Sequence, residues 1–259
     1  MRGIGKKRKK KMNNHKFIFI CGLHRSGTSL LYKILKEQDA ISGMENTQVI
    51  EDEGQHLQTV FNAANKHGGP GKFGFDTESY LDNNSKLITE ENKVKLFNQW
   101  SKYWDLKKEF LIEKSPPNLI KTKFLQAIFP NSYFITILRH PVATSLATKK
   151  WSKTSHLSLI NHWLICHNQY LEDRGKLNKH LTIKYEDLTK NTGETIKKIE
   201  TFLELNIKYP QLEIKKDIND RYFELWKKKK KNIFFKRNIK KSEKLEKEIN
   251  LFGYSFKNI

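Results

Sequence analysis

Two rhythms of hydrophobic and polar positions run along this chain. Short apolar runs mark strands: Lys16–Cys21 (KFIFIC), which reads as buried, then residues 110–113 and 133–138, with a fourth strand over 181–185. Between them, apolar residues recur at helical spacing. Leu30, Leu31, Ile34 and Leu35 place a helix over 28–37. Glu51, Asp52 and Glu53 sit near the start of a helix expected within 49–66, where the helix dipole favours acidic groups. Thr89, followed by Glu90 and Glu91, caps a helix running to about Trp104. Further helices are expected over 118–129, 142–151, 157–174 and 195–203. Pro116 and Pro117 preset the start of the first of these, and Pro130 ends it. Residues 68–74 (GGPGKFG) read as a flexible loop, and the lysine-rich remainder reads as helical.

Strands that alternate with helices imply an α/β fold: a mostly parallel central sheet with helices on both faces, in three layers. Ligands of such sheets bind at the carboxyl ends of the strands. Four polar clusters fall there in this chain: the loop at 22–29, Glu113-Lys114-Ser115, Arg139-His140-Pro141 and Tyr185-Glu186-Asp187.

The chain has 259 residues, enough for one sizeable domain. Residues 1–15 read as a basic disordered tail and 16–259 as a single domain with a lysine-rich C-terminal part. The formal net charge is +21, concentrated in that tail and around the run at 227–231. Such a balance suits anionic partners, although charge runs are usually solvated faces. Two cysteines, Cys21 and Cys166, fit a reducing compartment better than a disulfide framework. No apolar run reaches the roughly 20 residues of a membrane helix, so a cytoplasmic protein is expected.

The loop Gly22-Leu23-His24-Arg25-Ser26-Gly27-Thr28-Ser29 has the frame of a phosphate-binding loop, but Thr28 occupies the usual lysine position. Its glycines let backbone N–H groups approach an anion, and the following helix adds a positive dipole end. The cation inside the loop is Arg25. Lys114, just past a strand and before two prolines, is a second, aimed at the loop. Arg139, also past a strand, makes a second anion site together with a hydroxyl on the next helix.

Residues 23–31, 113–117, 139–151 and 185–188, with the ending Leu251-Phe252-Gly253-Tyr254, resemble the sulfotransferase superfamily, in its branch of protein and carbohydrate enzymes and bacterial relatives. The resemblance runs from about Lys16 to Leu205. It implies a P-loop-like fold and the donor 3′-phosphoadenosine-5′-phosphosulfate (PAPS). His24, Arg25, Ser26, Gly27, Thr28 and Ser29 would hold the 5′-phosphosulfate. Arg139 would hold the 3′-phosphate, Lys114 would assist the sulfonyl group, and Tyr185 would lie near the nucleotide. The family's serine eight residues after that arginine is here Ala147, so Ser145, Thr148 or the backbone must substitute.

The acceptor hydroxyl needs a base within hydrogen-bond reach. The candidates are Glu45, Glu53 and His56, the last two on one face of the expected helix. His162, Cys166 and His167 share a helix region but lack further partners for a metal set, so no metal is expected. The expected activity is sulfonyl transfer from PAPS to a carbohydrate hydroxyl. Protein tyrosine, a small metabolite, or a kinase with a degenerate loop are the alternatives. A non-catalytic binder of nucleic acid or acidic glycan would leave the four strand-end clusters unexplained, and no stable nucleic-acid partner is expected.

Overall fold

The computed structural model describes residue 12 and residues 14–259. Its strands are β1 (Lys16–Cys21), β2 (Ile41–Ser42), β3 (Phe110–Lys114), β4 (Ser132–Leu138) and β5 (His180–Lys184). They form one sheet in the order β2-β3-β1-β4-β5, and every pairing is parallel. The helices are α1 (Thr28–Lys36), α2 (Glu90–Trp100), α3 (Thr122–Ile128), α4 (Pro141–Ser152), α5 (His156–Arg174), α6 (Tyr185–Lys190), α7 (Thr192–Leu203), α8 (Ile218–Lys230), α9 (Ile233–Lys241) and α10 (Glu243–Asn250).

Strand alternation splits the core into two layers. Phe17, Phe19 and Cys21 of β1 join Leu111 and Phe134 on one face, packed with Trp100, Phe124, Ile160 and Trp163. Ile18 and Ile20 join Ile112, Ile135 and Ile137 on the other, packed with Leu31, Ile34, Leu35, Ile196 and Ile199. β1, β3 and β4 are covered on both faces and so read as near-continuous apolar runs, whereas β5 at the sheet edge buries only Ile183. From β1 the chain runs out to the edge strand β2, returns through β3, and then crosses β1 to β4 on its other side. β1 is therefore the strand at which the winding reverses, and a crevice opens at its carboxyl end.

Three sequence expectations change. Residues 49–66 form no α-helix. They make short 3-10 turns at Ile50–Asp52, Gly54–His56 and Ala64–His67. The backbone donors of this segment go to side chains instead: Gly54 N to Glu113 Oε1 (2.9 Å), Gln55 N to Ser115 Oγ (3.0 Å) and Ala64 N to Gln55 Oε1 (2.8 Å). Those side-chain acceptors replace the i−4 carbonyls a helix would use. Residues 118–129 divide into a turn at Pro116–Ile120 and α3, with a break at Lys121 (φ −133°). Tyr185 opens α6 instead of closing β5. The expected tail, residues 1–15, lies outside the described residues except for 12, 14 and 15, of which Met12 and His15 are buried.

Candidate functional site

The loop of residues 22–29 leaves β1 and enters α1. Gly27 caps the helix with φ 103°, a left-handed conformation that an L side chain resists. A Cβ there would also stand 2.4 Å from Cδ2 of Tyr185. Arg25 holds φ 68° as well. Its backbone carbonyl accepts a hydrogen bond from Arg139 Nη1 (2.7 Å), and its guanidinium lies 5.2 Å from the ring centre of Trp151. The first turn of α1 carries N–H groups with no partner inside the helix, a geometry that favours an anion.

Arg139 emerges from β4 and is buried. Its Nε donates to Asn219 Oδ1 (2.9 Å), its guanidinium stacks 4.2 Å from the ring centre of Tyr185, and Tyr222 lies 5.4 Å away. Its Nη2 is buried with no hydrogen-bond partner among the described residues. A buried guanidinium donor left unpaired is costly, and a bound anion removes that cost. His140 then caps α4, and Pro141 takes its first turn.

These residues converge on a cleft of about 360 Å³ at the carboxyl end of β1. Its lining includes His24, Arg25, Gly27, Thr28, Ser29, Arg139 and Tyr185, which the sequence singled out, together with Glu53. The lining also includes Glu51, Trp151, Glu213, Lys215, Ile218 and Tyr222, which sequence reasoning missed. Ser29 donates to Glu51 Oε2 (2.7 Å), which places a carboxylate at the loop side of the cleft. The last four residues come from a lysine-rich segment without a motif. The one signal was Ile218 and Tyr222 at i and i+4, on one helix face.

The other candidates separate. Ser26 is buried within the loop, with its hydroxyl unpartnered among the described residues. Ser145 does not line the cleft: its hydroxyl meets His156 Nδ1 and the His156 carbonyl, both at 3.2 Å. Thr148 donates to the His24 carbonyl (3.4 Å). Glu45 is exposed and outside the cleft. Lys114 is 1% exposed and does not line the cleft. Its ammonium donates to the Glu51 carbonyl (2.8 Å) and pairs with Glu53 Oε1 (3.4 Å). Glu53 Oε2 in turn accepts from Gln55 Nε2 (2.5 Å) and faces His56 Nε2 at 3.8 Å. His162 accepts from Gly74 N at Nε2 (3.0 Å), and His167 meets the Trp163 carbonyl through Nδ1 (2.6 Å).

Two buried groups shape this wall electrostatically. Burial, with the Lys114 charge added, pushes His24 down to about 3, so its ring is neutral. Glu113 sits behind the cleft, accepting from Gly54 N, Ser115 Oγ (2.5 Å) and Asn118 Nδ2 (2.5 Å). Burial outweighs these bonds and pushes its carboxyl up from 4.5 to about 7. Between those values the native state holds a proton that the unfolded chain has released, so stability falls as pH rises. Across that window the loss is ~3 kcal/mol. Glu113→Gln is expected to flatten the slope of urea-unfolding stability between pH 4.5 and 7. An unchanged slope would place the titration elsewhere.

Fold and cleft together give an α/β protein with a phosphate-loop frame at the carboxyl end of β1, in which Thr28 holds the usual lysine position and Arg25 lines the cleft. The chain belongs to the sulfotransferase family, whose profile matches residues 18–209. Among solved structures, the sulfotransferase STF1 of Mycobacterium tuberculosis is similar, with 14% identity, a TM-score of 0.54, and coverage of 86% of this chain and 75% of that one. STF9 of Mycobacterium avium has 9% identity and a TM-score of 0.54, covering 88% of this chain and 72% of that one. At these identities the likeness is one of fold. No curated protein is significantly similar in sequence. No helix among the described residues is long and apolar enough to cross a membrane, and no group of three or more metal-ligating side chains occurs among them.

Proposed function

We propose that this sulfotransferase takes its sulfonyl group from PAPS and passes it to a carbohydrate hydroxyl. The observation that carries the donor assignment is Arg139 Nη2, buried and unpartnered in the same cleft as the loop at 22–29. A donor with two separate anionic ends fits two separate anion sites. The loop and Arg25 receive the 5′-phosphosulfate, and Arg139 receives the 3′-phosphate. Tyr185, Trp151 and Tyr222 offer aromatic faces to the nucleoside. With Thr28 in place of lysine, the loop lacks the cation that a triphosphate needs.

Bound there, PAPS supplies the sulfonyl group. Glu53 takes the proton of the acceptor hydroxyl as the acceptor oxygen bonds to sulfur. The bond from sulfur to the bridging phosphate oxygen breaks, and Arg25 and the loop N–H groups take up the charge released there. Lys114 and Gln55 fix the Glu53 carboxylate from behind. His56, which faces Glu53, also borders an open cavity of about 550 Å³, lined by Thr59, Phe61, Asn62, Asn65 and Lys66 among others. Hydroxyl and amide groups beside an aromatic ring suit a sugar better than an apolar acceptor. The buried free thiols of Cys21 and Cys166 accord with a cytoplasmic setting.

The test is transfer from labelled PAPS to separated glycan, peptide and small-molecule fractions. Label in the glycans is expected; label in peptides alone would remove the carbohydrate assignment. Binding of ATP without binding of PAPS would remove the donor assignment. Glu53→Gln is expected to lower kcat about 100-fold with donor KM unchanged. If kcat stays within a few-fold of the parent, the base lies elsewhere.

A further inference from the structure

We propose that the corner between α8 and α9 is a docking wedge for anionic membrane surfaces. In this arrangement Ile233 and Phe234 enter the headgroup boundary, and Lys228, Lys229, Lys231, Lys236 and Arg237 face the charged headgroups. Ile233 and Phe234 are adjacent and are 79% and 78% exposed. The fold does not require them where they are. The apolar face of α9 is already used by Phe235, whose ring lies 5.0 Å from that of Trp226, and by buried Ile239. Two neighbouring large apolar side chains left in water at a helix start are unusual on a chain as polar as this one.

The surroundings supply the second half of the argument. Lys228, Lys229, Lys231, Lys236 and Arg237 are exposed and form no ion pair among the described residues, whereas Lys227 pairs with Glu224 (3.0 Å). Cations at the end of α8 are favoured by its dipole, which accounts for part of the run at 227–231. The dipole accounts neither for Lys236 and Arg237, which lie before the last turn of α9, nor for the apolar pair between the two groups.

An acidic glycan or a nucleic acid would meet the cations and gain nothing from an isoleucine. A second copy of this chain would cover the apolar pair and press like charges together. An anionic bilayer satisfies both, because apolar side chains insert while basic ones stay at the headgroups.

The corner is also firmly held. Asn232 caps α9 through Phe235 N (3.1 Å), Lys230 donates to the Lys257 carbonyl (2.5 Å), and Trp226 donates to the Phe256 carbonyl (2.8 Å). α8 connects the wedge to the cleft. Tyr222 lines the cleft, and Lys230 lies eight residues further along the same helix, ~12 Å at the helical rise.

The experiment is co-sedimentation of the full chain with phosphatidylcholine vesicles, with and without phosphatidylserine. Binding only to the phosphatidylserine vesicles is expected. Ile233→Ser/Phe234→Ser keeps every charge and is expected to lower the partition coefficient at least about tenfold. Lys228→Glu/Lys229→Glu/Lys231→Glu is expected to lower it about 100-fold or more. Both sets of positions are exposed, so an unchanged melting temperature is expected to confirm folding. Three results would overturn the proposal. One is no binding to either vesicle. The second is full binding by the serine variant, which assigns attraction to charge alone, including the basic residues before Lys16. The third is a change from dimer to monomer in the serine variant without lipid, which assigns the corner to a second copy. The readout is binding and does not depend on the identity of the donor.

Discussion

Arg139→Ala is expected to raise the dissociation constant of 3′-phosphoadenosine 5′-phosphate about 100-fold or more, measured by titration calorimetry. The guanidinium is buried, one of its donors has no partner, and a phosphate supplies that partner. The effect is specific to one part of the ligand. The parent protein should prefer the 3′-phosphorylated nucleotide strongly over adenosine 5′-phosphosulfate, which lacks that group, and the variant should lose the preference. Arg139→Lys is expected to recover little. An ammonium cannot hold Asn219, the Arg25 carbonyl and a phosphate in one plane, as the guanidinium fork does. A variant that still discriminates the 3′-phosphate as well as the parent would sink the assignment. Stability without ligand should change much less, by ~1–2 kcal/mol, because the variant also removes a desolvated charge.

Gly27→Ala should abolish measurable sulfate transfer. Alanine at φ 103° costs ~1–2 kcal/mol of backbone strain. The larger consequence is steric. The new methyl would overlap the Tyr185 ring at 2.4 Å, and that ring is the platform against which Arg139 stacks. One added carbon therefore disturbs the loop and the setting of Arg139 together. Gly27→Ala/Tyr185→Ala relieves the overlap, so the double variant should bind the nucleotide more tightly than Gly27→Ala alone. If the second substitution only adds to the loss, the overlap is not the cause.

The sheet and its ligand edge were legible because buried parallel strands are written as unbroken apolar runs. Phe17 to Cys21 and Tyr133 to Leu138 could not have been half-exposed strands. The loop was legible from two glycines and its flanks. β2 was not, since two residues carry no periodicity. The turns at 50–67 were misread as a helix because the acceptors that prevent one, Glu113 and Ser115, lie some 60 residues away in sequence. Glu45 and Glu53 looked equivalent in the sequence. Only the fold places Glu53 in the cleft wall beside Lys114 and leaves Glu45 outside it. Ser145 was a hydroxyl at a plausible spacing, but the helix turns it toward His156.

Asn219 holds Arg139 with its oxygen and Glu186 with its amide (2.6 Å), and Glu186 also receives His140 N (2.9 Å) and the Tyr254 hydroxyl (2.9 Å). The stretch matched by the family profile stops at 209, yet Lys215, Asn219, Tyr222 and Tyr254 close or brace the cleft from beyond it. The cleft is thus a seam between the stretch that the family profile matches and a C-terminal clasp that lies beyond it. Substitutions in that clasp are expected to change how long a ligand stays in the cleft while leaving the loop at 22–29 as it is.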